Sequence, residues 1–200
     1  MIDTVIFDIG NVLVEWHWRK NFVQWFGEEM VEPLAEATVR SPGWLELDRG
    51  ELDEAGIIAL LTKNAPEYAE QIAQIVSCNH EMLTTFPYAD SWLRDLKAAG
   101  YKVYILSNFG EFGFNRAKPT FTFLQYADGG VISYEVKRVK PGREIYEILC
   151  EKYGITPENA VFLDDRPENT AAAAALGMHT VTVESKEQAD AELKALGVTY

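Results

Sequence analysis

The feature that most constrains the fold is the apolar run Thr4–Val14, which is interrupted by one acid, Asp8. A continuous run of Val, Ile and Phe is typical of a strand buried on both faces, as in a parallel sheet. Asp8 lies where this strand should end, and Gly10 and Asn11 favour a turn directly after it. Because ligands of open α/β sheets bind beyond the carboxyl ends of strands, Asp8 is a candidate nucleophile or metal ligand. The alternative is a residue that only forms the turn.

Composition restricts the classes of protein to which the chain can belong. Hydrophobic residues make up 48% of the 200 residues, so a full core can form without metal or disulfide links. The net charge of −13 argues against a nucleic-acid partner, and an anionic substrate would need a local positive site. Cys78 and Cys150 lack metal-binding spacing, which favours free thiols in a reducing, cytoplasmic setting. Neither a membrane helix nor a signal peptide is predicted.

The order of helical and strand patterns predicts an α/β fold with an insertion. Residues 15–85 show helical patterns and no predicted strand, and Asp53 is a predicted helix N-cap. Beyond residue 86, helices alternate with four predicted strands, at residues 101–106, 130–134, 160–163 and 179–183. Such alternation implies right-handed βαβ units and a parallel sheet. We therefore expect a core of residues 1–14 and 86–200, with a helical insertion at residues 15–85.

Polar residues end three of the predicted strands at one edge of the sheet: Asp8, Ser107 with Asn108, and Asp164 with Asp165. Lys140, followed by Pro141, lies between the last two in the chain. Taken singly, each has a plain structural explanation, as a turn, a helix N-terminus or a surface lysine. Three converging carboxylates would, however, repel one another unless a cation lies among them. Oxygen ligands of this kind suit Mg²⁺.

These residues resemble the motifs of the haloacid dehalogenase (HAD) superfamily. The segment from Asp8 to Val12 is similar to the first motif, with Asp8 at the nucleophile position. The three other motifs are matched by Ser107 in Ile-Leu-Ser-Asn, Lys140 in Val-Lys-Pro-Gly, and Asp164-Asp165 with Asn169. The resemblance implies a Rossmann-like core with a C1-type helical cap. The first motif looks closest to a group that includes the α-D-glucose-1-phosphate phosphatases.

The resemblance also implies a reaction and a set of roles. It implies a Mg²⁺-dependent phosphatase of small phosphorylated metabolites, with sugar phosphates favoured, in which Asp8 attacks phosphorus and forms an aspartyl-phosphate. The implied catalytic residues are Asp8, Ser107 and Lys140. The implied metal ligands are Asp8, the Gly10 carbonyl, Asp164 and Asp165. The implied substrate contacts are Asn11, Ser107, Asn108 and Lys140, while Asn169 would orient the acid pair.

The first motif departs from the pattern of most phosphatases in the superfamily. They carry a second Asp two residues after the nucleophile, which protonates the leaving oxygen and then activates water. This chain has Gly10 there. General acid–base help contributes about 10²- to 10⁴-fold, so its loss would be felt. Glu15 and His17 are the nearest possible substitutes. Without a substitute, the enzyme should favour substrates whose leaving group is already acidic.

Two other functions stay open at this stage. The dehalogenase branch also lacks the second Asp, so Asp8 could attack carbon in a metal-free 2-haloacid dehalogenase. Asp164 and Asp165 argue against this reading, because a metal-free site has no use for converging acids beside an anionic substrate. The third possibility is a catalytically silent HAD domain that binds a ligand or partner.

Within the helical insertion, Trp16 and Trp18 are the predicted contacts to a sugar ring.

Overall fold

Seven strands and eleven α-helices make up the protein, whose residues 1–200 are described by a computed structural model. The strands are β1 (Thr4–Phe7), β2 (Val14–Trp16), β3 (Leu83–Thr85), β4 (Lys102–Ser107), β5 (Gly129–Ile132), β6 (Ala160–Asp164) and β7 (His179–Thr182). The helices are α1 (Trp18–Phe26), α2 (Val31–Ala37), α3 (Pro42–Arg49), α4 (Glu54–Asn64), α5 (Ala69–Ser77), α6 (Ala89–Ala98), α7 (Glu111–Ala117), α8 (Ser133–Val136), α9 (Arg143–Tyr153), α10 (Pro167–Ala174) and α11 (Lys186–Ala195). None of the helices has the length and apolar character that crossing a bilayer demands.

Five strands form the predicted parallel sheet, in the order β5-β4-β1-β6-β7. Thr4 at the start of β1 is opposite Lys102 of β4 on one side and Ala160 of β6 on the other. Because these three strands begin in register and run parallel, the loops at their carboxyl ends meet at one edge. The α/β fold predicted from the sequence is confirmed.

The sheet is buried on both faces. Along β1, Val5 and Phe7 belong to a cluster of 25 buried apolar residues, while Ile6 belongs to a second cluster of 12. Successive side chains of a strand point to opposite faces, so β1 takes part in both layers of the core. This arrangement explains why its sequence is a continuous apolar run and does not alternate with polar residues.

The helical insertion has two buried apolar clusters of its own, one around Phe22 and one around Leu47. The prediction that this block contains no strand is wrong at its two ends. There β2 and β3 pair antiparallel, with Val14 opposite Thr85 and Trp16 opposite Leu83. Strands of three residues are too short to show a period of two in the sequence. The division into core and insertion stays a prediction, and we call residues 15–85 the cap below.

Helix α3 of the cap lies directly against loops at the carboxyl edge of the sheet. The Ser133 hydroxyl, which follows β5, donates to the backbone carbonyl of Asp48 at 2.5 Å and accepts from the Phe109 amide at 2.9 Å. The Lys137 ammonium donates to the carbonyl of Gly50, the residue that ends α3 in a left-handed conformation. These contacts hold the C-terminal end of α3 over the sheet edge.

Gly110 permits this close approach. A Cβ atom at this position would lie 2.2 Å from Leu47 Cδ2 and 2.9 Å from the Leu47 carbonyl oxygen. Because one of these atoms belongs to the backbone, the clash could not be relieved by a side-chain rotation alone. A side chain at this position would therefore have to displace α3.

Gly110→Ala should therefore loosen the end of α3 without unfolding the sheet. Overpacking of this kind costs typically about 1–3 kcal/mol, so the amides of residues 46–50 should exchange with deuterium roughly 10-fold faster or more. Hydrogen-exchange mass spectrometry measures this, with the amides of β6 as the internal control. Unchanged exchange in α3 would contradict the assignment of Gly110 as the contact point.

Candidate active site

Three carboxylates converge beyond the carboxyl ends of the central strands. Asp8 follows β1, while Asp164 ends β6 and Asp165 follows it. Their oxygen atoms lie within 4.8 Å of one another. Asp8 and Asp164 are buried, and Asp165 is half-buried. The structure thus brings together the three acids that the sequence predicted.

Lys140 is the cation buried among these acids. Its ammonium lies 2.6 Å from Asp164 Oδ2 and 2.9 Å from Asp8 Oδ1, and it donates to the Leu106 carbonyl oxygen at 2.9 Å. The contact with Asp8 is electrostatic, because Oδ1 accepts no well-directed hydrogen bond. Burial disfavours the charged form of the lysine, but Asp8 and Asp164 outweigh it and raise the pKa of Lys140.

Asp164 is committed to partners within the protein. Both of its oxygens accept from the Asn169 side-chain amide, at 3.0 and 3.1 Å, and Oδ1 also accepts from the Arg166 backbone amide at 2.9 Å. Together with Lys140, these donors occupy most of its lone pairs. Asp165 has fewer partners, since its side chain accepts one bond, from Asn11 Nδ2 at 2.9 Å. Asp8 and Asp165 therefore have more lone pairs available to a metal ion than Asp164.

The two asparagines predicted to bind substrate also have structural partners. Asn108 accepts from the Lys140 backbone amide at 2.8 Å and donates to the Lys140 carbonyl at 2.9 Å, so it fixes the main chain of the lysine. Asn11 accepts from the Trp16 backbone amide at 3.1 Å, in addition to its bond to Asp165. Each side-chain amide retains one N–H group. Contact with substrate stays a prediction for both residues, and the structure adds an orienting function.

Burial sets the charge state of the predicted nucleophile. It raises the pKa of Asp8 to about 6, and the nearby charge of Asp164 acts in the same direction. Lys140 and the Ser107 hydroxyl partly offset this rise. A second cation beside Asp8 would favour its ionised form, which is the form that can attack phosphorus.

A cavity of about 650 Å³ opens above the acids. Asp8, Ser107 and Lys140 form its floor at the sheet edge, and residues of the cap also line it. The cap residues that line it are Trp16, Val39, Arg40, Ser41, Trp44, Leu45, Leu47, Asp48, Asn79 and Leu83. A volume of this size suits a small metabolite.

The cap side of the cavity differs in part from the sequence prediction. Trp16 lines the cavity as predicted, but Trp18 does not; its ring packs against Phe22, with the Arg40 guanidinium 5.4 Å from its centroid. Trp44, whose ring stacks on Trp16 at a centroid distance of 6.4 Å, was not predicted from the sequence. The only sequence signal for Trp44 as a cavity residue is that its side chain is aromatic.

The two predicted substitutes for the missing acid lie outside the cavity. Glu15 is exposed on β2, and both ring nitrogens of His17 have partners, Asn21 at 2.7 Å and Thr84 at 2.9 Å. Asp48, the cap carboxylate that lines the cavity, was also not predicted from the sequence.

The order of the site residues along the chain follows the four HAD motifs. A family model described as haloacid dehalogenase-like hydrolase matches residues 2–177. The chain belongs to this family. The hydrolase is 28% identical over 207 residues to D-ribitol-5-phosphate phosphatase of Bacteroides thetaiotaomicron, covering 92% of this chain and 93% of that protein. It is also 28% identical over 131 residues to (S)-2-haloacid dehalogenase 4A of Burkholderia cepacia, covering 66% of this chain.

The hydrolase spans only part of some relatives. It covers 56% of the length of that dehalogenase. It is also 26% identical over 202 residues to Acyl-CoA dehydrogenase family member 10 of Mus musculus. That match covers 96% of this chain but only 19% of the relative. Among solved structures, HAD family enzyme bt-2542 of Bacteroides thetaiotaomicron, in complex with magnesium and inorganic phosphate, has a TM-score of 0.72 and 23% identity. The alignment covers 93% of this chain and 96% of that one. This similarity shows the shared fold.

In the metal-free hydrolase, Asp8→Asn should gain stability relative to the wild type as the pH rises from 4 to 7. The pKa of Asp8 rises from 3.8 in the unfolded chain to about 6 in the folded protein. Below about pH 4 Asp8 is therefore protonated in both states, whereas between pH 4 and 6 it is ionised mainly in the unfolded chain. The wild type should therefore lose on the order of 3 kcal/mol relative to the variant as the pH rises through this window.

Urea unfolding in EDTA at pH 4 and pH 7 measures this difference. Asp95→Asn is the matched control, since the Asp95 side chain is 49% exposed. A constant difference between the wild type and Asp8→Asn across the two pH values would contradict the raised pKa of Asp8.

Proposed function

We propose that this hydrolase is a Mg²⁺-dependent phosphatase of small phosphorylated metabolites, with sugar phosphates favoured, acting through an aspartyl-phosphate on Asp8. The observation that carries the proposal is the convergence of three carboxylates within 4.8 Å, two of which contact one buried ammonium. When all are ionised, the cluster is net negative and would repel a phosphate dianion. A divalent cation removes this repulsion and holds nucleophile and substrate together.

The donors present fit Mg²⁺. All are oxygens, which this hard cation prefers. Asp8 and Asp165 would supply carboxylate ligands, and the Gly10 carbonyl, which accepts no backbone hydrogen bond, would supply a third. The lone pairs of Asp164 are largely used by Lys140, Asn169 and Arg166. Asp164 would therefore contact the metal as a further ligand or through a water molecule.

The remaining chemistry falls to the residues of the cavity floor. Asp8 would attack phosphorus, which splits the hydrolysis into transfer to the enzyme and release by water. The Lys140 ammonium and the Ser107 hydroxyl would donate hydrogen bonds to the oxygens of the transferring phosphoryl group. Donors positioned in advance stabilise the charge spread over these oxygens, which is the main source of catalysis in phosphoryl transfer.

A metal-free 2-haloacid dehalogenase is the second candidate. It is favoured by Gly10, and by the relative named as a 2-haloacid dehalogenase. In that reaction the substrate carboxylate would lie beside Asp8, Asp164 and Asp165 with Lys140 as the nearest buried cation. The unbalanced negative charge makes this the weaker proposal.

Phosphate release from a panel of sugar phosphates should require both Mg²⁺ and Asp8. EDTA should abolish it, added Mg²⁺ should restore it, and Asp8→Asn should reduce it below detection, because the amide cannot attack phosphorus. Asp95→Asn, at an exposed position, serves as the control. Phosphate release that survives EDTA and Asp8→Asn would contradict the mechanism. Chloride release from 2-chloropropionate in EDTA would support the dehalogenase.

The stacked pair of Trp16 and Trp44 should govern the choice of substrate. Replacing either by Ala should raise KM for sugar phosphates by roughly tenfold, since a sugar ring would lose an aromatic contact, with little change for a small generic phosphate such as acetyl phosphate. Trp18→Ala is the matched control, because Trp18 does not line the cavity. Steady-state kinetics on both substrates tests this, and an equal loss for all substrates would indicate a structural role.

A further inference from the structure

Asp48 is the one carboxylate that lines the cavity besides Asp8 and Asp165. It lies near the C-terminal end of α3, on the cap, and lines the same cavity as Asp8. In phosphoryl transfer the attacking and leaving oxygens are roughly in line with phosphorus. A leaving oxygen displaced by Asp8 would consequently point away from the floor and toward the cap.

The main chain holds Asp48 in this position. Its carbonyl accepts from the buried Ser133 hydroxyl at 2.5 Å, and Leu47, the residue before it, is in close contact with Gly110. Ser133 follows β5 and Gly110 follows β4. The Asp48 backbone is therefore held by loops at the same sheet edge that carries the cavity floor. A general acid needs such positioning before it needs the right acidity.

The Asp48 carboxyl is not neutralised by an ion pair. The two cations that influence it most, Lys140 and Arg166, pair elsewhere: Lys140 with Asp8 and Asp164, and Arg166 with Glu168 at 2.5 Å. Burial raises the pKa of Asp48 to about 7, and the charge of Asp8 acts in the same direction. The charges of Lys140 and Arg166 and a hydrogen bond from the Gly110 backbone amide offset part of this rise. Near neutral pH the group is thus present both as an acid and as a base.

We propose that Asp48 is the general acid and base of the hydrolysis, in the place that Gly10 leaves without a side chain. This inference rests on the proposed phosphatase function. In the first step Asp8 forms its bond to phosphorus while the bond to the leaving oxygen breaks, and protonated Asp48 gives its proton to that oxygen. In the second step Asp48 takes a proton from the attacking water, the bond between Asp8 and phosphorus breaks, and phosphate leaves. Asp48 is protonated again at the end.

The proposal reverses one expectation from the sequence. With Gly10 alone, the enzyme would depend steeply on the acidity of the leaving group. With Asp48 as the acid, the wild type should show a shallow dependence, and a steep one should appear when Asp48 is replaced. A series of aryl and alkyl phosphates that differ mainly in leaving-group pKa separates the two cases.

The experiment compares Asp48→Asn with the wild type in Mg²⁺ over this series. We expect kcat/KM to fall by about 10²-fold or more for alkyl phosphates, and by no more than about threefold for 2,4-dinitrophenyl phosphate, whose leaving group needs no proton. Glu46→Gln, on the same helix but outside the cavity, removes one charge and should leave the series unchanged. Thermal unfolding verifies that each variant folds, and Asp48→Ala replaces Asp48→Asn if the latter does not.

A second readout follows the second step. Because Asp48→Asn would also slow the attack of water, mixing it with 2,4-dinitrophenyl phosphate should give a burst of dinitrophenolate equal to the enzyme concentration, with a phosphorylated Asp8 visible by mass spectrometry. An equal loss for every leaving group, or no loss, would overturn the role of Asp48 while leaving the phosphatase in place. A wild type that releases no phosphate from any member of the series would overturn both proposals.

Discussion

The buried contact of Lys140 with Asp8 and Asp164 is the interaction on which the site depends. It joins the ends of β1 and β6 to the loop before α9. Asn108, which follows β4, bonds both the backbone amide and the backbone carbonyl of this lysine. Burying these charges is costly, and loss of the lysine, which would leave two buried carboxylates without their cation, would cost about 3–5 kcal/mol. Their burial is consistent with preorganisation, because it leaves Asp8, the proposed nucleophile, fixed and partly desolvated before any substrate arrives.

The core of the fold could be predicted because its signals are local. The apolar runs that became β1, β4 and β6 are continuous since each strand is buried on both faces. The pairing of β2 with β3 could not be predicted, because it joins Val14 to Thr85 across the whole cap and involves three residues on each strand. Its effect is also local: Val14 is buried and Glu15 exposed, which turns Glu15 away from the cavity.

The same distinction explains which site residues the sequence predicted. Residues at strand ends, such as Asp8 and Asp164, are brought together by parallel topology alone, so their convergence follows once the strands are recognised. The places of Asp48 and Trp44 depend instead on how the cap lies against the core. That docking depends on contacts such as the missing side chain at Gly110, the Ser133 hydroxyl and the Lys137 ammonium, none of which carries a sequence pattern.

The role proposed for Asp48 would give the cap a part in the chemistry as well as in recognition. A proton donor two residues after the nucleophile would belong to the same loop and be present whether or not the cap is seated. A donor on α3 would be present only where α3 lies against Gly110 and Ser133, as it does here. Proton transfer and substrate choice would then rest on one contact, between the C-terminal end of α3 and the loops after β4 and β5. A substrate too large for α3 to reach this position would lose its proton donor even though Asp8, Lys140 and the proposed metal ligands were all in place.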